Sequence, residues 1–173
     1  MRTSSKVVGS LLILTTIALL MVPVAYTTPP TEGIGTFDQL IPEEGVEERL
    51  AGKTMIVHQW GGGGTLYGIF EGVWIHDEWM VVHPNGKATV NGVWDTPDGV
   101  TFNAPGGPFF GTVHVRYTAT IDLVTGVLQG RYVILSGTDG LANLRGQGTI
   151  SANIYSPPFG IIDYILRYHF EPS

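Results

Sequence analysis

Alternation of apolar and polar residues around one short turn is the feature that most constrains the fold of this chain. The turn is "DLVTGV", residues 122–127. Pairing Asp122 with Val127 places Tyr117 opposite Tyr132 in the flanking strands. One face of the predicted hairpin then collects Val113, Val115, Tyr117, Ala119 and Ile121 with Leu128, Gly130, Tyr132 and Ile134. Because the other face is polar, the pattern is typical of an antiparallel sheet with one side on a core.

A second turn, "HPNGK" at residues 83–87, fixes the register of another hairpin. Its proline and glycine positions favour a type I turn with a bulge at Gly86, which pairs His83 with Lys87. Met80 and Val82 then share a face with Val90 and Ala88. Comparable runs occupy 53–60, 65–76, 78–83, 87–95, 99–103, 111–122, 127–136, 145–155 and 161–170.

These runs predict an all-β domain of eight or nine short strands. The 24 glycines and 11 prolines are scattered between them, as expected of turns. We expect an eight-stranded antiparallel up-and-down barrel, because closure removes the edges that such a meander would expose. A two-sheet sandwich is the alternative.

The N-terminus predicts export from the cytoplasm. Residues 1–26 carry Arg2 and Lys6, followed by an uncharged apolar stretch at 7–24. This pattern predicts a hydrophobic export helix, and both a cleaved signal peptide and a retained membrane tether are compatible with its length. The remainder of the chain is therefore expected outside the cytoplasm, secreted or anchored.

Residues 27–52 are acidic, open with Pro29 and Pro30, and are predicted to link the export segment to a barrel domain at 53–173. A short helix is expected within this linker at 42–50. The net charge of −6 becomes −8 without Arg2 and Lys6, and the remaining cations are dispersed, which argues against nucleic acid as a partner. No cysteine is present, so no disulfide is expected.

The stretch "SGTDGLANLRGQGTI", residues 136–150, contains four glycines. We expect Gly146 and Gly148 on the inward face of a curved strand, with Asp139 and Gly140 supplying the turn before it. Residues 111–150 resemble the small barrels of the allene oxide cyclase and dirigent type and their prokaryotic relatives. There a strand pair precedes a "G-T-G-x-L/F-A-x-x-x-G-x-G" segment, matched by Gly137, Thr138, Gly140, Leu141, Ala142, Gly146 and Gly148.

The resemblance implies an eight-stranded, calycin-like barrel with an apolar cavity, which in the better-known members takes a hydrophobic guest. It places no catalytic residue on this chain, so the catalytic residues stay unknown. No cofactor is indicated.

Several polar motifs are assigned structural roles. "WGGGGT", residues 60–65, lacks the lysine and helix of a phosphate-binding loop and is expected to be a flexible loop or a hairpin at the barrel mouth. Asp77 and Glu78 are expected in a solvated turn between two strands. No metal site is predicted, since no ligand motif joins the five histidines, which are expected on the surface: His58, His76, His83, His114 and His169.

The candidate ligand-binding residues are four tyrosines of the apolar face, Tyr117, Tyr132, Tyr164 and Tyr168. They are expected either to line a pocket for a small apolar ligand or to fill the core. The function expected is a non-enzymatic exported binding module. Alternatives are a cyclase or isomerase acting on a hydrophobic substrate, or a structural subunit that assembles through exposed Trp74, Trp79 and Trp94. A homo-oligomer is compatible with each of these three functions.

Overall fold

The computed structural model describes residues 29–41, 43–157 and 160–172. The predicted export segment, 1–26, lies outside these residues. None of the helical structure within the described ranges is long and apolar enough to cross a membrane.

Eleven strands and a single 3-10 turn, Asp139–Leu141, make up the regular structure of the described residues. The strands are β1 (Thr31–Asp38), β2 (Gly45–Ala51), β3 (Thr54–Gly68), β4 (Phe70–Val82), β5 (Lys87–Asp95), β6 (Val100–Ala104), β7 (Gly107–Gly111), β8 (Val113–Asp122), β9 (Val127–Gly137), β10 (Leu144–Asn153) and β11 (Ile161–Phe170).

Eight of these strands close an antiparallel barrel, which confirms the predicted all-β class and strand number. The barrel order is β3, β1, β11, β10, β9, β8, β5 and β4, and pairing of β3 with β4 closes it. β2 pairs with the first half of β3, and the β6–β7 hairpin pairs with the start of β4.

Both predicted hairpin registers are confirmed. Asp122 pairs with Val127 and Tyr117 with Tyr132 across β8 and β9. In the other hairpin, the His83 amide donates to the Lys87 carbonyl at 2.8 Å, and Gly86 has a φ of +77°. A positive φ at this position explains why the bulge takes glycine.

The inward faces of the strands form one hydrophobic core. The alternate residues of β8 and β9 predicted to be apolar are those that the structure buries, including Val115, Tyr117 and Tyr132. At one end, the β6–β7 hairpin brings Phe102 against Tyr168 with ring centroids 4.8 Å apart. We call this end the filled end.

The stretch 27–52, predicted as an acidic linker, contains two strands. β1 pairs residue by residue with β11, from Thr31 opposite Tyr168 to Asp38 opposite Ile161. The short helix predicted at 42–50 is wrong, because Gly45–Ala51 pairs with β3 as strand β2. Exposed acidic side chains suit the outward face of a strand as well as they suit a linker, so composition did not distinguish the two.

Strands β3 and β4 are longer than predicted. The "WGGGGT" stretch, predicted as a flexible loop or mouth hairpin, lies within β3, where a bulge shifts the register between Trp60 and Gly63. The predicted turn at Asp77 and Glu78 is also wrong, since β4 runs through both residues. Pairing with both β3 and β5 holds this part of β4 extended.

The predicted inward position of Gly148 is confirmed by its contacts. A Cβ placed there would lie 1.9 Å from the Ile165 carbonyl oxygen and 2.7 Å from the Tyr132 ring. Glycine thus makes room for Tyr132 inside the barrel.

Candidate functional site

A cavity of about 80 Å³ lies toward the end of the barrel opposite the filled end. Its walls are mainly aromatic and aliphatic: Phe37, Trp74, Val90, Trp94, Ala119, Ile121, Leu128, Tyr132, Ile150 and Ile162. Four polar side chains also line it, namely Gln39, His76, Glu78 and Tyr117. Because Gln39 is exposed, the cavity reaches solvent beside this residue.

One row of paired residues carries the polar side of the cavity across four strands. Gln59 on β3 lies opposite Glu78 on β4, which lies opposite Gly92 on β5, which in turn lies opposite Tyr117 on β8. A Cβ at Gly92 would lie 2.7 Å from the Glu78 Cβ and 2.8 Å from the Tyr117 hydroxyl oxygen. The glycine therefore allows the tyrosine to reach the carboxyl group.

Glu78 accepts two hydrogen bonds inside the barrel. Tyr117 Oη donates to Glu78 Oε2, and Gln59 Nε2 donates to Oε1 at 2.9 Å. Burial raises the pKa of Glu78 above its ordinary value of 4.5, and the charge of Glu43 acts in the same direction. The hydrogen bond from Tyr117 and the nearness of His76 lower the pKa, but burial outweighs them.

The phenol of Tyr117 remains a hydrogen-bond donor. Burial raises its pKa above the ordinary value of 10.0, and the negative charge of Glu78 raises it further. Tyr117 therefore keeps its proton at neutral pH.

Glu43, just before β2, adds a second carboxyl group. His76 Nε2 lies 3.0 Å from each oxygen of Glu43, and the Gly62 amide donates to Glu43 Oε2 at 3.0 Å. A Cβ at Gly62 would lie 2.3 Å from Glu43 Oε1. The glycine-rich bulge of β3 thus makes room for this side chain. We call Glu43, Gln59, His76, Glu78 and Tyr117 the polar cluster.

The four predicted tyrosines are all buried, but only two of them line the cavity. Tyr117 and Tyr132 do so, and the Tyr132 hydroxyl donates to the Ile165 carbonyl at 3.2 Å. Tyr164 accepts a hydrogen bond from the Phe70 amide at 3.1 Å and donates to the Tyr67 carbonyl at 3.2 Å.

Tyr168 packs against Phe102 at the filled end, and its hydroxyl has no partner among the described residues. Tyr117 alone among the four therefore brings its hydroxyl to a side chain that lines the cavity.

The histidines are only partly on the surface. His83 and His169 are exposed as predicted, whereas His76 is buried within the polar cluster, so its predicted surface position is wrong. His58 stacks on Trp79 with ring centroids 4.1 Å apart, and its Nε2 lies 2.9 Å from Asp77 Oδ1. Among the described residues, no three potential metal ligands converge.

The tryptophans proposed for assembly differ in position. Trp74 is buried and Trp94 is partly buried, and both line the cavity. Trp79 is 44% exposed on the outer face of β4. The expectation of three exposed tryptophans is therefore wrong for Trp74 and Trp94.

The polar cluster was missed because β4 was divided at Asp77. Trp74, His76 and Glu78 stand at alternate positions, so a continuous strand would have placed all three on the face that carries Met80. That spacing was the available signal. For Glu43, which comes from outside the predicted barrel domain, the sequence holds no comparable signal.

No family model matches the chain, and no curated protein matches it. A similar solved structure is the crystal structure of a protein of unknown function from the DUF3224 family of Shewanella oneidensis MR-1. It superposes with a TM-score of 0.61 at 18% identity, covering 83% of this chain and 99% of that one. The expected kinship with allene oxide cyclase and dirigent barrels is thus supported only as far as the fold: this chain is a β-barrel that resembles a protein of unknown function.

Proposed function

We propose that the barrel binds a small molecule whose apolar body lies in the cavity and whose single polar group meets Glu78. The observation that carries this proposal is an aromatic and aliphatic cavity that ends on a partly buried carboxyl group. Mostly apolar pockets with a few convergent polar groups and a perturbed pKa are typical of ligand sites.

The size of the cavity limits the ligand. Its volume of about 80 Å³ is below the ~150 Å³ of an engineered cavity that binds benzene, and far below the ~300 Å³ at which pockets for drug-sized molecules begin. A compound of about six non-hydrogen atoms is therefore the upper limit for the cavity, and a long lipid exceeds it. A longer ligand would have to extend past Gln39 into solvent.

Cyclopentanol is a suitable probe because it combines one small apolar ring with one hydroxyl group. We expect saturable binding, with a rise in Tm of about 3–6 °C at ten times the Kd. Ala119→Leu adds a side chain to the cavity wall and should abolish binding. Thr120→Leu, one residue along on the exposed face, is the matched control and should bind as the unmodified chain does.

The proposal fails if Ala119→Leu binds cyclopentanol unchanged, or if neither cyclopentanol nor a cyclopentane that carries a charged polar group shows saturable binding. Nuclear magnetic resonance spectra of the Ala119→Leu variant would establish that it is folded before its binding is compared.

The carboxyl group also favours a second candidate function, an isomerase-type proton transfer on a hydrophobic carbonyl compound. Ionised Glu78 would take a proton from the carbon beside the carbonyl, leaving the electron pair on the enolate oxygen, and would return a proton later. A raised pKa brings a carboxyl closer to neutral pH, where such exchange is efficient. The test is α-deuteration of cyclopentanone in D₂O: the unmodified chain should accelerate it over Glu78→Gln, and equal rates would exclude this function.

A further inference from the structure

We infer that the polar group of the ligand is an amine, held as its ammonium ion between the Glu78 carboxylate and the aromatic walls of the cavity. This inference rests on the proposed binding function and specifies the chemical class of the ligand. Three features of the described residues carry it: the unneutralised carboxyl group, the aromatic rings that line the same cavity and the engagement of His76 elsewhere.

Among the residues that the structure describes, the carboxyl group of Glu78 has hydrogen-bond donors but no cationic partner. None of the ion pairs formed by the described residues joins Glu78 to a lysine or arginine. Its two bonds come from neutral groups, the amide of Gln59 and the phenol of Tyr117. A partly buried carboxylate in this state gains most from a ligand that brings a positive charge.

His76 is the nearest side chain that could supply that charge, but it is oriented towards Glu43. Its Nε2 lies 3.0 Å from both Glu43 oxygens. The titratable groups that act on Glu78 are His76 on the same strand, Tyr117 on β8 and Glu43 before β2. Asp77 points to the opposite face, where it contacts His58. The imidazole of His76 is therefore engaged by Glu43 and forms no ion pair with Glu78 among the described residues.

The walls of the cavity suit a cation as well as an apolar body. Trp74 stands edge-on to Trp94 with centroids 6.5 Å apart, and Phe37 stands edge-on to Trp74 at 5.0 Å. All three line the cavity. The faces of such rings attract ammonium groups within about 6 Å, most strongly when the site is desolvated. An overall charge of −6 favours cationic ligands at long range too.

Binding of an ammonium ion should release a proton from the protein. Burial keeps part of Glu78 protonated at pH values where a free glutamate is ionised, and the ammonium ion favours the ionised form. Affinity for the amine should consequently rise with pH until Glu78 is fully ionised, and the released proton passes to the buffer. An uncharged ligand should show no such rise.

The test compares cyclopentylamine, cyclopentanol and cyclopentanecarboxylate by isothermal titration calorimetry, in two buffers of different ionisation enthalpy. These probes share a ring and differ in the polar group. We expect cyclopentylamine to bind at least about tenfold more tightly than cyclopentanol, with proton release, and the carboxylate to bind most weakly. Glu78→Gln, which retains the size of the side chain, should remove both the preference and the proton release.

Each other outcome overturns a defined part of the argument. If cyclopentanol binds as tightly as cyclopentylamine, the amine inference is wrong while the binding function stands. If none of the probes binds, the binding function fails and the inference with it. If the preference for the amine persists in Glu78→Gln, Glu78 is not the partner and the inference fails.

Discussion

Tyr117 donates its hydroxyl hydrogen to Glu78 across β5, at the one position of that strand where glycine leaves the space open. The contact joins residues 39 positions apart in the chain. It lies at the polar end of a largely apolar cavity, so it fixes both the orientation of the carboxyl group and the shape of the site.

Tyr117→Phe should raise the pKa of Glu78 further, because the lost hydrogen bond favours the ionised carboxylate. The unfolding free energy should fall by about 0.5–1.5 kcal/mol, the usual value of one intramolecular hydrogen bond. Carboxyl ¹³C titration and urea denaturation measure the two effects. Tyr132→Phe is the control: it also loses a buried hydrogen bond, to the Ile165 carbonyl, yet should leave the Glu78 titration in place. A Glu78 pKa equal in both variants would contradict the assignment.

Glu78→Gln should stabilise the protein relative to the unmodified chain as the pH rises. The pKa of Glu78 is raised in the folded state, so above about 4.5 the unfolded chain ionises first and stability declines until the folded carboxyl also ionises. Glutamine lacks this penalty and can still accept the hydrogen bond from Tyr117. The difference in unfolding free energy should therefore be constant below pH 4.5, grow through the window above it, and then level off.

Urea denaturation at a series of pH values checks the Glu78→Gln prediction. A difference that is independent of pH would show that the folded and unfolded states bind the Glu78 proton equally well, contrary to the burial of the group.

Gly92→Ala should cost more than the same change at Gly146. At Gly92 the new Cβ would meet the Glu78 Cβ at 2.7 Å and the Asp77 carbonyl oxygen at 2.8 Å, whereas at Gly146 its nearest atom is the terminal Cδ1 of the Leu166 side chain, at 2.8 Å. We expect a loss of about 1–3 kcal/mol at Gly92 from overpacking. Cyclopentanol binding should also weaken, because Tyr117 and Glu78 are pushed apart. Equal losses of stability in the two variants would contradict this account.

The local alternation of apolar and polar residues, together with the turn sequences, was sufficient to predict much of the barrel. The register of the β8–β9 hairpin was predicted because one short turn joins the two strands directly. The alternation of apolar and polar residues in both strands agrees with the pairing that this turn sets. The inward glycine at 148 followed from the same alternation, continued into β10. These features depend on residues close in sequence, where backbone sterics and side-chain period decide the outcome.

The polar cluster depends on pairings between distant residues, which one sequence does not display. Glu78 is held inside by its neighbours on β3 and β5, although its own local sequence favours a turn. Likewise β1 is held as a strand because it pairs with β11 on one side and with β3 on the other. The composition of the glycine run in β3 predicts a loop. In the structure, Glu43 occupies the space that a side chain at Gly62 would need.

That last relationship can be tested by a double-mutant cycle. Gly62→Ala places a Cβ 2.3 Å from Glu43 Oε1, so it should displace Glu43 from His76 and destabilise the fold by about 1–3 kcal/mol. In a Glu43→Ala background the obstructing side chain is absent, and the cost of Gly62→Ala should shrink by about 1 kcal/mol or more. Gly63→Ala is the control, since its Cβ would lie 2.0 Å from the Trp74 carbonyl oxygen and Glu43→Ala cannot relieve that clash. A Gly62→Ala cost unchanged by Glu43→Ala would mean that the bulge needs its glycines for the backbone alone.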